Sequence, residues 1–259
     1  MTDHSRNIRI MGIVNATPDS FYAPSRYDMS AVEAGADIVD VGAVSTRPGA
    51  EEVSEADEWS RLEPVLRDLT AVRADISIDT TRASIIERCC DLLGRPVIVN
   101  DISAGEDDPA MLGTAARLGL TYVAMHKRGT PATMQSLCDY ADVTAGVLDY
   151  FRDFAIRAEE AGVSDWILDP GFGFAKDAAQ NFTLLDSLGS LCALERPILV
   201  GISRKSFIYK SLGLTPETSL PATQALHMAA LERGADILRV HDVPAAREVV
   251  SLYCMLHGV

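Results

Sequence analysis

The stretch IRIMGIVN, residues 8–15, is apolar almost throughout and ends on the polar Asn15. Seven further runs along the chain share this character: they are short, rich in β-branched residues, and nearly all end on a polar residue with useful chemistry. Continuous apolar runs are typical of parallel strands that are covered on both faces. We therefore predict eight strands, near residues 8–15, 37–42, 76–80, 97–101, 121–126, 166–171, 198–203 and 237–242.

The segments between these runs are long enough for helices that lead from one strand to the next. Ser54, followed three residues later by Asp57, is one of several helix-start signals. Eight β-α units predict an α/β fold, a (β/α)8 TIM barrel with its active site at the C-terminal ends of the strands. No linker or composition break divides the sequence, so we expect residues 1–259 to form a single domain. The helices are expected near residues 28–36, 55–71, 83–93, 108–118, 139–162, 177–195, 217–234 and 244–257.

The composition is that of an ordinary globular protein, with 47% hydrophobic and 23% charged residues. The net charge of −14 argues against a nucleic-acid partner, whose phosphates the protein would repel. No apolar run approaches the roughly 20 residues that span a bilayer, and the N-terminal MTDHSRN does not resemble a signal peptide. The five cysteines lack metal-ligand spacing and are expected to be reduced thiols. We therefore expect a soluble, cytoplasmic protein that binds neither nucleic acid nor membrane.

Polar side chains end three of the predicted strands: Asp79 the third, Asn100 the fourth and Asp169 the sixth. At these positions they would point into or over the mouth of the barrel. A buried carboxylate requires a cation or several donors, and it suits a flat heterocycle that presents two parallel N–H groups. The alternative is that the three residues cap the helices that follow. His126, at the end of the fifth strand, is expected to be a packed rather than a catalytic histidine.

Cationic side chains lie at or just beyond the ends of the seventh and eighth strands, where barrels commonly bind phosphate. Arg239 and His241 lie two apart on one strand, so they project to the same side, and residues 203–206 read Ser-Arg-Lys-Ser. This arrangement predicts a site for phosphate or diphosphate, although cations that pack on the surface are the alternative. Asn15 ends the first strand, where its oxygen could join phosphate oxygens and water around Mg²⁺.

Seven motifs, spread in order over the whole chain, resemble those of the dihydropteroate synthase family. They are MGIVNATPDSF (11–21), STRPGA (45–50), ISIDT (76–80), VNDISAG (99–105), LDPGFGF (168–174), GISRKSFI (201–208) and ADILRVHDV (235–243). The resemblance implies a transferase of folate biosynthesis with a TIM-barrel fold. It would condense dihydropterin diphosphate, (7,8-dihydropterin-6-yl)methyl diphosphate, with 4-aminobenzoate. The products would be 7,8-dihydropteroate and diphosphate, formed by a dissociative substitution.

The resemblance also implies a role for each residue at a matching position. The pterin would be held by Asp79, Asn100, Met125, Asp169 and Lys205. The diphosphate would be bound by Asn15, Arg239 and His241, with Asn15 as the ligand of Mg²⁺. The 4-aminobenzoate site would be bordered by Thr46, Arg47, Phe174, Lys205 and Ser206, with Arg47 on a mobile loop. The residues with catalytic roles would be Asp79, Asp169, Lys205, Arg239 and His241. The family further suggests a homodimer formed through the last helices.

The chain departs from the family pattern mainly in its two long loops, residues 16–27 and 43–54. The first lacks the usual Asp-Gly-Gly stretch, which should stiffen it. None of the departures removes a predicted pterin or diphosphate ligand, so we expect activity. The other departures are Ala43 and Val44 for Gly and Glu, Lys127 for Met, and Ala175 for Gly.

Two alternative functions are compatible with some of these residues. A pterin-binding methyltransferase of the same barrel class would keep the pterin residues. It has no reason to retain the STRP, SRKS and RVHD sequences, which favour the synthase. An inactive or weakly active relative that binds pterin diphosphates without turnover is suggested by the altered loops. Release of diphosphate from the two substrates distinguishes the synthase from both alternatives.

Overall fold

The computed structural model describes residues 7–16, 29–44, 53–130 and 133–259. Within these residues, each of the eight predicted strands is confirmed, although several are shorter than expected. The strands are β1 (Arg9–Asn15), β2 (Ile38–Gly42), β3 (Asp75–Asp79), β4 (Ile98–Asp101), β5 (Tyr122–Met125), β6 (Trp166–Asp169), β7 (Leu199–Val200) and β8 (Ile237–Val240).

The strands form one parallel sheet that closes on itself. Their order is β6-β5-β4-β3-β2-β1-β8-β7, so chain neighbours lie side by side and β1 pairs with β8. A parallel bridge between Leu168 and Ile198 joins the two remaining edges, beside β6 and β7. A closed ring of eight parallel strands with intervening helices confirms the predicted TIM barrel.

The helices follow the strands around the barrel, and side chains of Ser54, Asp142 and Asp177 cap three of the described helices. Ser54 accepts a hydrogen bond from the amide of Asp57, as its spacing predicted, and Asp142 accepts from the amides of Thr144 and Ala145. Among the described helices, none combines the length and apolar character needed to cross a membrane. The helices are α1 (Ser30–Glu33), α2 (Glu55–Asp68), α3 (Ala83–Leu93), α4 (Met111–Leu118), α5 (Val143–Ala161), α6 (Ala178–Asp186), α7 (Ser206–Ser211), α8 (Leu220–Glu232) and α9 (Val243–His257).

Two helix predictions were wrong in detail. The helix expected over residues 177–195 ends at Asp186 and is followed by a separate 3-10 helix, Leu188–Leu194. The Leu-Gly-Ser sequence at 188–190 explains the break, because Gly and Ser are weak helix formers. The short helix α7 was not predicted, since six residues are too few to show a helical repeat.

The barrel interior consists of two layers, and this division determines where chemistry can occur. The lower layer is buried and mainly apolar, and its apolar members are Met11, Ile38, Ile98, Val123, Ile167, Leu199 and Ile237. Side chains two positions further along a strand point to the same side. The inward residues above the apolar layer therefore belong to the C-terminal end of the barrel, which we call the mouth. They include Asp40, Asp79, Asn100, Met125, Asp169 and Arg239.

Candidate active site

Arg239, on β8, is the cation at the centre of the mouth. Its Nε donates to Oδ2 of Asp40 at 2.7 Å, and its Nη2 donates to Oδ2 of Asp79 at 2.9 Å. Nη2 also lies 2.7 Å from Oδ2 of Asp40. One guanidinium group therefore serves two carboxylates that come from two different strands.

Asn100, on β4, is oriented by the same buried carboxylate. Its Nδ2 donates to both oxygens of Asp40, at 3.1 and 3.2 Å. Asn100 is 4% exposed and Asp40 is fully buried. Because the amide nitrogen faces Asp40, the amide oxygen of Asn100 is available as an acceptor.

Asp79, at the end of β3, has an unusual proton affinity. Burial raises its pKa to about 7, although the charge of Arg239 opposes this shift. The carboxylates of Asp40, Asp101 and Glu58 raise the pKa further. Arg239 cannot cancel these effects because it is shared with Asp40, to which it makes the shorter contacts. Asp79 therefore changes its charge near neutral pH.

Asp169, at the end of β6, is the second carboxylate of the mouth. Its Oδ1 accepts a hydrogen bond from the amide of Gly171 at 2.8 Å. Burial raises the pKa of Asp169, while the charge of Lys205 lowers it. A Cβ added to Gly201 would lie 4.0 Å from Oδ2 of Asp169 and 3.9 Å from Cβ of Arg239. Gly201 therefore lies between Asp169 and the base of the Arg239 side chain.

Lys205, which precedes α7, reaches across the mouth to the loop after β6. Its Nζ donates to the carbonyl of Phe172 and lies 5.0 Å from the centre of the Phe174 ring. Burial lowers the pKa of Lys205 to about 8, although the charge of Asp169 raises it. An ammonium group thus lies next to an aromatic ring, within the distance at which a cation is attracted to the ring face.

Three further predicted residues lie at the exposed rim of the mouth: Asn15 at the end of β1, Ser206 at the start of α7, and His241 directly after β8. The backbone amide of His241 donates to Oγ of Ser203 at 3.2 Å, and its ring Nδ1 lies 3.1 Å from the same oxygen. Ser203 therefore fixes the histidine ring at the rim.

Arg204 does not contribute to this cluster of cations. Its Nε and Nη2 form a bidentate pair with Asp242, both at 2.7 Å, and its Nη1 donates to the carbonyl of Pro216 at 2.6 Å. These contacts tie the start of the loop after β7 to the end of β8. Arg204 therefore has a structural role, and the cationic side chains that remain at the mouth and its rim include Arg239, His241 and Lys205.

The loop after β6 is held in place by the buried Lys176. Its Nζ lies 2.9 Å from Nδ1 of His126, 3.0 Å from the carbonyl of Gly171 and 3.1 Å from that of Phe174. Burial lowers the pKa of His126 to about 2, so its ring is neutral and Nδ1 accepts. Three acceptors match the three N–H groups of an ammonium ion. His126 is packed as expected, and its partner fixes the backbone that carries Phe174.

The predicted site residues fall into three groups. Asp79, Asn100, Met125, Asp169 and Arg239 converge inside the barrel. Asn15, Phe174, Lys205, Ser206 and His241 lie at its rim and in the loop after β6. Thr46 and Arg47 lie outside the described residues, as do most of the long loops 16–27 and 43–54.

Two buried residues of this region, Asp40 and Lys176, were not predicted. Asp40 interrupts an apolar strand run, and a carboxylate in such a position must have a cationic or donor partner. That signal was present in DIVDVG at 37–42. Lys176 lies in a loop, where a lysine is usually exposed, so the sequence carried no comparable signal.

Comparison with known proteins identifies the family of the chain. The profile of the family described as pterin binding enzyme matches residues 11–241. A dihydropteroate synthase from Synechocystis sp. is 41% identical over 263 residues, which cover 96% of this chain and 90% of that protein.

Two solved structures resemble the whole barrel. The Yersinia pestis dihydropteroate synthase with a sulfonamide drug complex matches with a TM-score of 0.90 at 35% identity, covering 98% of this chain and 95% of that one. The Thermus thermophilus dihydropteroate synthase in complex with 4-aminobenzoate matches with a TM-score of 0.87 at 40% identity, covering 96% and 95%. The chain therefore belongs to the dihydropteroate synthase family of pterin-binding enzymes, as its seven motifs indicated.

Proposed function

We infer that the chain is a transferase of folate biosynthesis that condenses (7,8-dihydropterin-6-yl)methyl diphosphate with 4-aminobenzoate. The products are 7,8-dihydropteroate and diphosphate. The observation that carries this inference is the convergence of Asp79, Asn100, Asp169 and Arg239 in a barrel that matches synthases over nearly its whole length. The same match favours the synthase over a pterin-binding methyltransferase.

We propose that the pterin ring lies in the mouth between Asp169 and Asn100. The Asp169 carboxylate would accept two parallel N–H groups of the ring, and the free oxygen of Asn100 would accept another. Asp79 would accept a further ring N–H when it is ionised, and Lys205 would donate to a ring oxygen or nitrogen. Met125 is 3% exposed and would form an apolar wall of the pocket.

The diphosphate end of the substrate would lie towards β1 and β8. Arg239 and His241 would donate to its oxygens, since both project from the same end of the barrel. We propose that 4-aminobenzoate binds beside Phe174, Lys205 and Ser206. Thr46 and Arg47 are proposed to complete this subsite.

We propose Mg²⁺ as the cofactor of the diphosphate end. Within the described ranges, no group of three or more His, Cys, Asp or Glu is placed to hold a metal ion. The exposed amide of Asn15 fits an ion that prefers oxygen ligands and retains water, with the diphosphate supplying further oxygens. When bound, the ion would neutralise charge on the diphosphate.

The proposed reaction begins with cleavage of the bond between the pterin methylene carbon and the ester oxygen of the diphosphate. The electron pair leaves with the diphosphate, where Arg239 and His241 stabilise the negative charge. The pterin ring delocalises the positive charge of the methylene carbon, and the Asp169 carboxylate favours that charge. The amine of 4-aminobenzoate then forms the new C–N bond and loses a proton to solvent. The residues of the mouth position and stabilise these groups without forming a covalent intermediate.

We further propose that the protein is a cytoplasmic homodimer and that residues 1–259 form one domain. The last helix, α9, exposes apolar side chains at helical spacing: Leu252 at 54%, Met255 at 79% and Leu256 at 71%. Val259, just beyond the helix, is 48% exposed and continues this face. A patch of this kind is typical of a surface that a protein partner covers.

The decisive experiment measures release of diphosphate by the purified protein. We expect release that requires both substrates and Mg²⁺, with formation of 7,8-dihydropteroate in equal amount. Arg239→Ala is the matched loss-of-function variant, and it should weaken binding of the diphosphate substrate far more than binding of 4-aminobenzoate. Release no greater than that of a protein-free control would show that the chain is an inactive relative.

A further inference from the structure

Asp40 carries a carboxylate into the barrel interior, where it has no exposed surface. Its position on β2 places it below the rim of the mouth, so it is not available to contact a ligand. A buried carboxylate costs several kcal/mol unless cations and donors compensate for lost water. The role of Asp40 therefore follows from the groups that form hydrogen bonds with its buried carboxylate.

The two partners of Asp40 belong to the two halves of the mouth. Asn100, on the pterin side, donates its Nδ2 to both carboxylate oxygens at 3.1 and 3.2 Å. Arg239, on the diphosphate side, donates its Nε to Oδ2 at 2.7 Å. A single carboxylate is thus hydrogen-bonded to one residue from each half.

Asp40 determines which face of the Asn100 amide a ligand meets. An asparagine side chain has one acceptor oxygen and one donor nitrogen. If the amide turned over, its oxygen would face the carboxylate oxygens of Asp40, which is unfavourable. The contact with Asp40 therefore presents the Asn100 oxygen to the mouth as an acceptor for an N–H group.

Asp40 also determines which N–H groups of Arg239 remain available. A guanidinium group has five N–H donors, and the contacts with Asp40 and Asp79 use those of Nε and Nη2. In the part of the chain that the structure describes, Nη1 makes no hydrogen bond. The two N–H groups of Nη1 are thus left to bind an oxyanion in a bidentate or bridging manner.

We propose that Asp40 is a positioning residue of the synthase reaction: it orients Asn100 to accept a pterin N–H and Arg239 to bind the diphosphate of the same substrate. The inference rests on the proposed function for the identity of that substrate. The contacts of Asp40 support the rest. Loss of Asp40 should impair the pterin diphosphate substrate specifically, because both of its partners act on that substrate.

The test uses Asp40→Asn, which keeps the size of the side chain and removes its charge. The new amide has one acceptor oxygen, so its nitrogen must face a donor of either Asn100 or Arg239. We expect kcat/KM for the pterin diphosphate to fall about 10- to 100-fold, the loss typical of partners that orient binding residues. The KM for 4-aminobenzoate should change less than about twofold if its subsite is intact.

The matched control is Asp37→Asn, which alters the aspartate directly before β2, three positions from Asp40. Asp37 pairs with Arg247 at 3.0 Å and accepts from the amide of Ile10 at 2.7 Å. Its loss should lower stability while leaving the kinetic constants unchanged. If diphosphate release is absent in the wild type, the proposed function fails. If release is normal and Asp40→Asn behaves like Asp37→Asn, the positioning role fails alone.

A pH profile separates positioning from general damage to the fold. Asp79 faces Arg239, Asp40, Asp101 and Glu58, and the negative charge of Asp40 raises its pKa. Removing that charge, and releasing Arg239 to pair with Asp79, should lower the pKa of Asp79. The acid limb of kcat/KM for the pterin diphosphate should therefore move to lower pH in Asp40→Asn. An unmoved limb would overturn the proposal.

If Asp40→Asn does not fold, a measurement on the wild type tests the same proposal. Nuclear magnetic resonance of the ligand-free protein reports the side-chain N–H groups of Asn100 and Arg239, with Asn100→Asp used for assignment. We expect slow exchange with solvent for the Asn100 Nδ2 and Arg239 Nε protons, because both are held by a fully buried carboxylate. Rapid exchange of both would show that Asp40 does not fix them.

Discussion

At the scale of single residues, the ionisation of Asp79 in the mouth makes the stability of the folded protein depend on pH. Burial raises its pKa from 3.8 to about 7. Between these values the folded protein binds more protons than the unfolded chain, so the free energy of unfolding contributed by Asp79 falls as pH rises from about 4 to about 7. We expect the ligand-free wild type to lose stability across this window and Asp79→Asn to lose less. Urea denaturation at several pH values measures both, and identical slopes would contradict the shift.

Asp169 supports a second prediction, on affinity. Asp169→Asn would place an NH₂ group opposite ring donors in place of one carboxylate oxygen. Hydrogen bonds to a charged group contribute roughly 1.5–3 kcal/mol each, so we expect pterin diphosphate affinity to fall about 100-fold. The folded state should be retained, since a buried charge is removed. Calorimetric titration gives the affinities.

The control for this affinity measurement is Asp165→Asn. Asp165 lies just before β6, at the opposite end of the same strand, where it accepts from the hydroxyl of Thr121. The control variant should bind the pterin diphosphate like the wild type. Unchanged affinity in Asp169→Asn would mean that the pterin lies elsewhere in the barrel.

The residues of the mouth differ in how far the sequence predicts them. Asp79, Asn100 and Asp169 end apolar runs, and strand ends meet at the mouth of any parallel barrel, so their convergence could be predicted. Asp40 lies within a run, and its partners Asn100 and Arg239 are 60 and 199 positions away. Contacts between residues so far apart in the chain depend on how the strands align in the closed sheet. That alignment cannot be predicted from a single sequence.

At the scale of elements, the loop between β6 and α6 is fixed by two buried side chains, Lys176 and Asn181. Asn181 accepts from the amide of Gly173 at 2.7 Å and donates to the carbonyls of Lys176 and Asp177. Lys176 binds the loop carbonyls on the other side. The position of Phe174 therefore depends on residues that do not themselves line the mouth.

This dependence supports a third prediction, for Lys176→Met. The variant keeps the length of the side chain but leaves Nδ1 of His126 and two loop carbonyls without their donor. We expect the KM for 4-aminobenzoate to rise about tenfold through displacement of Phe174. Lys210→Met, which alters an exposed lysine at the end of α7, is the control and should be neutral. Steady-state kinetics decide, and an unchanged KM in Lys176→Met would contradict the role of the loop.

The elements themselves were largely predictable, for a physical reason. Strands in a barrel are buried on both faces and appear as apolar runs, and some helix starts carry a capping residue such as Ser54. The short helix α7 and the break after Asp186 were not predictable from apolar repeats, because each depends on how a few residues pack against neighbouring elements.

One departure from the family pattern lies in the loop after β6. Ala175, at φ 47°, occupies a left-handed conformation that the usual Gly adopts more easily.

At the scale of the whole molecule, the two ends of the barrel have different roles. A cavity of about 530 Å³ lies at the N-terminal ends of the strands, bordered by Arg9, Asp75, Asp165 and Asp236. Its polar groups are already used within the chain: Arg9 pairs with Asp75, and Asp236 accepts from the amide of Ile198. This end stabilises the barrel, as is usual for the fold. The groups arranged for ligands lie at the mouth.

The exposed face of α9 leads to the last prediction, on assembly. Leu256 is 71% exposed beside Met255 at 79%, and burying such side chains in a dimer would contribute roughly 1.5–3 kcal/mol each. We expect the wild type to sediment as a dimer and Leu256→Asp to sediment as a monomer with an intact barrel. Ile156→Asp, which alters a residue that is 57% exposed on α5, should leave the mass unchanged. A monomeric wild type would refute the dimer, whereas a Leu256→Asp variant that remains a dimer would place the interface elsewhere than α9.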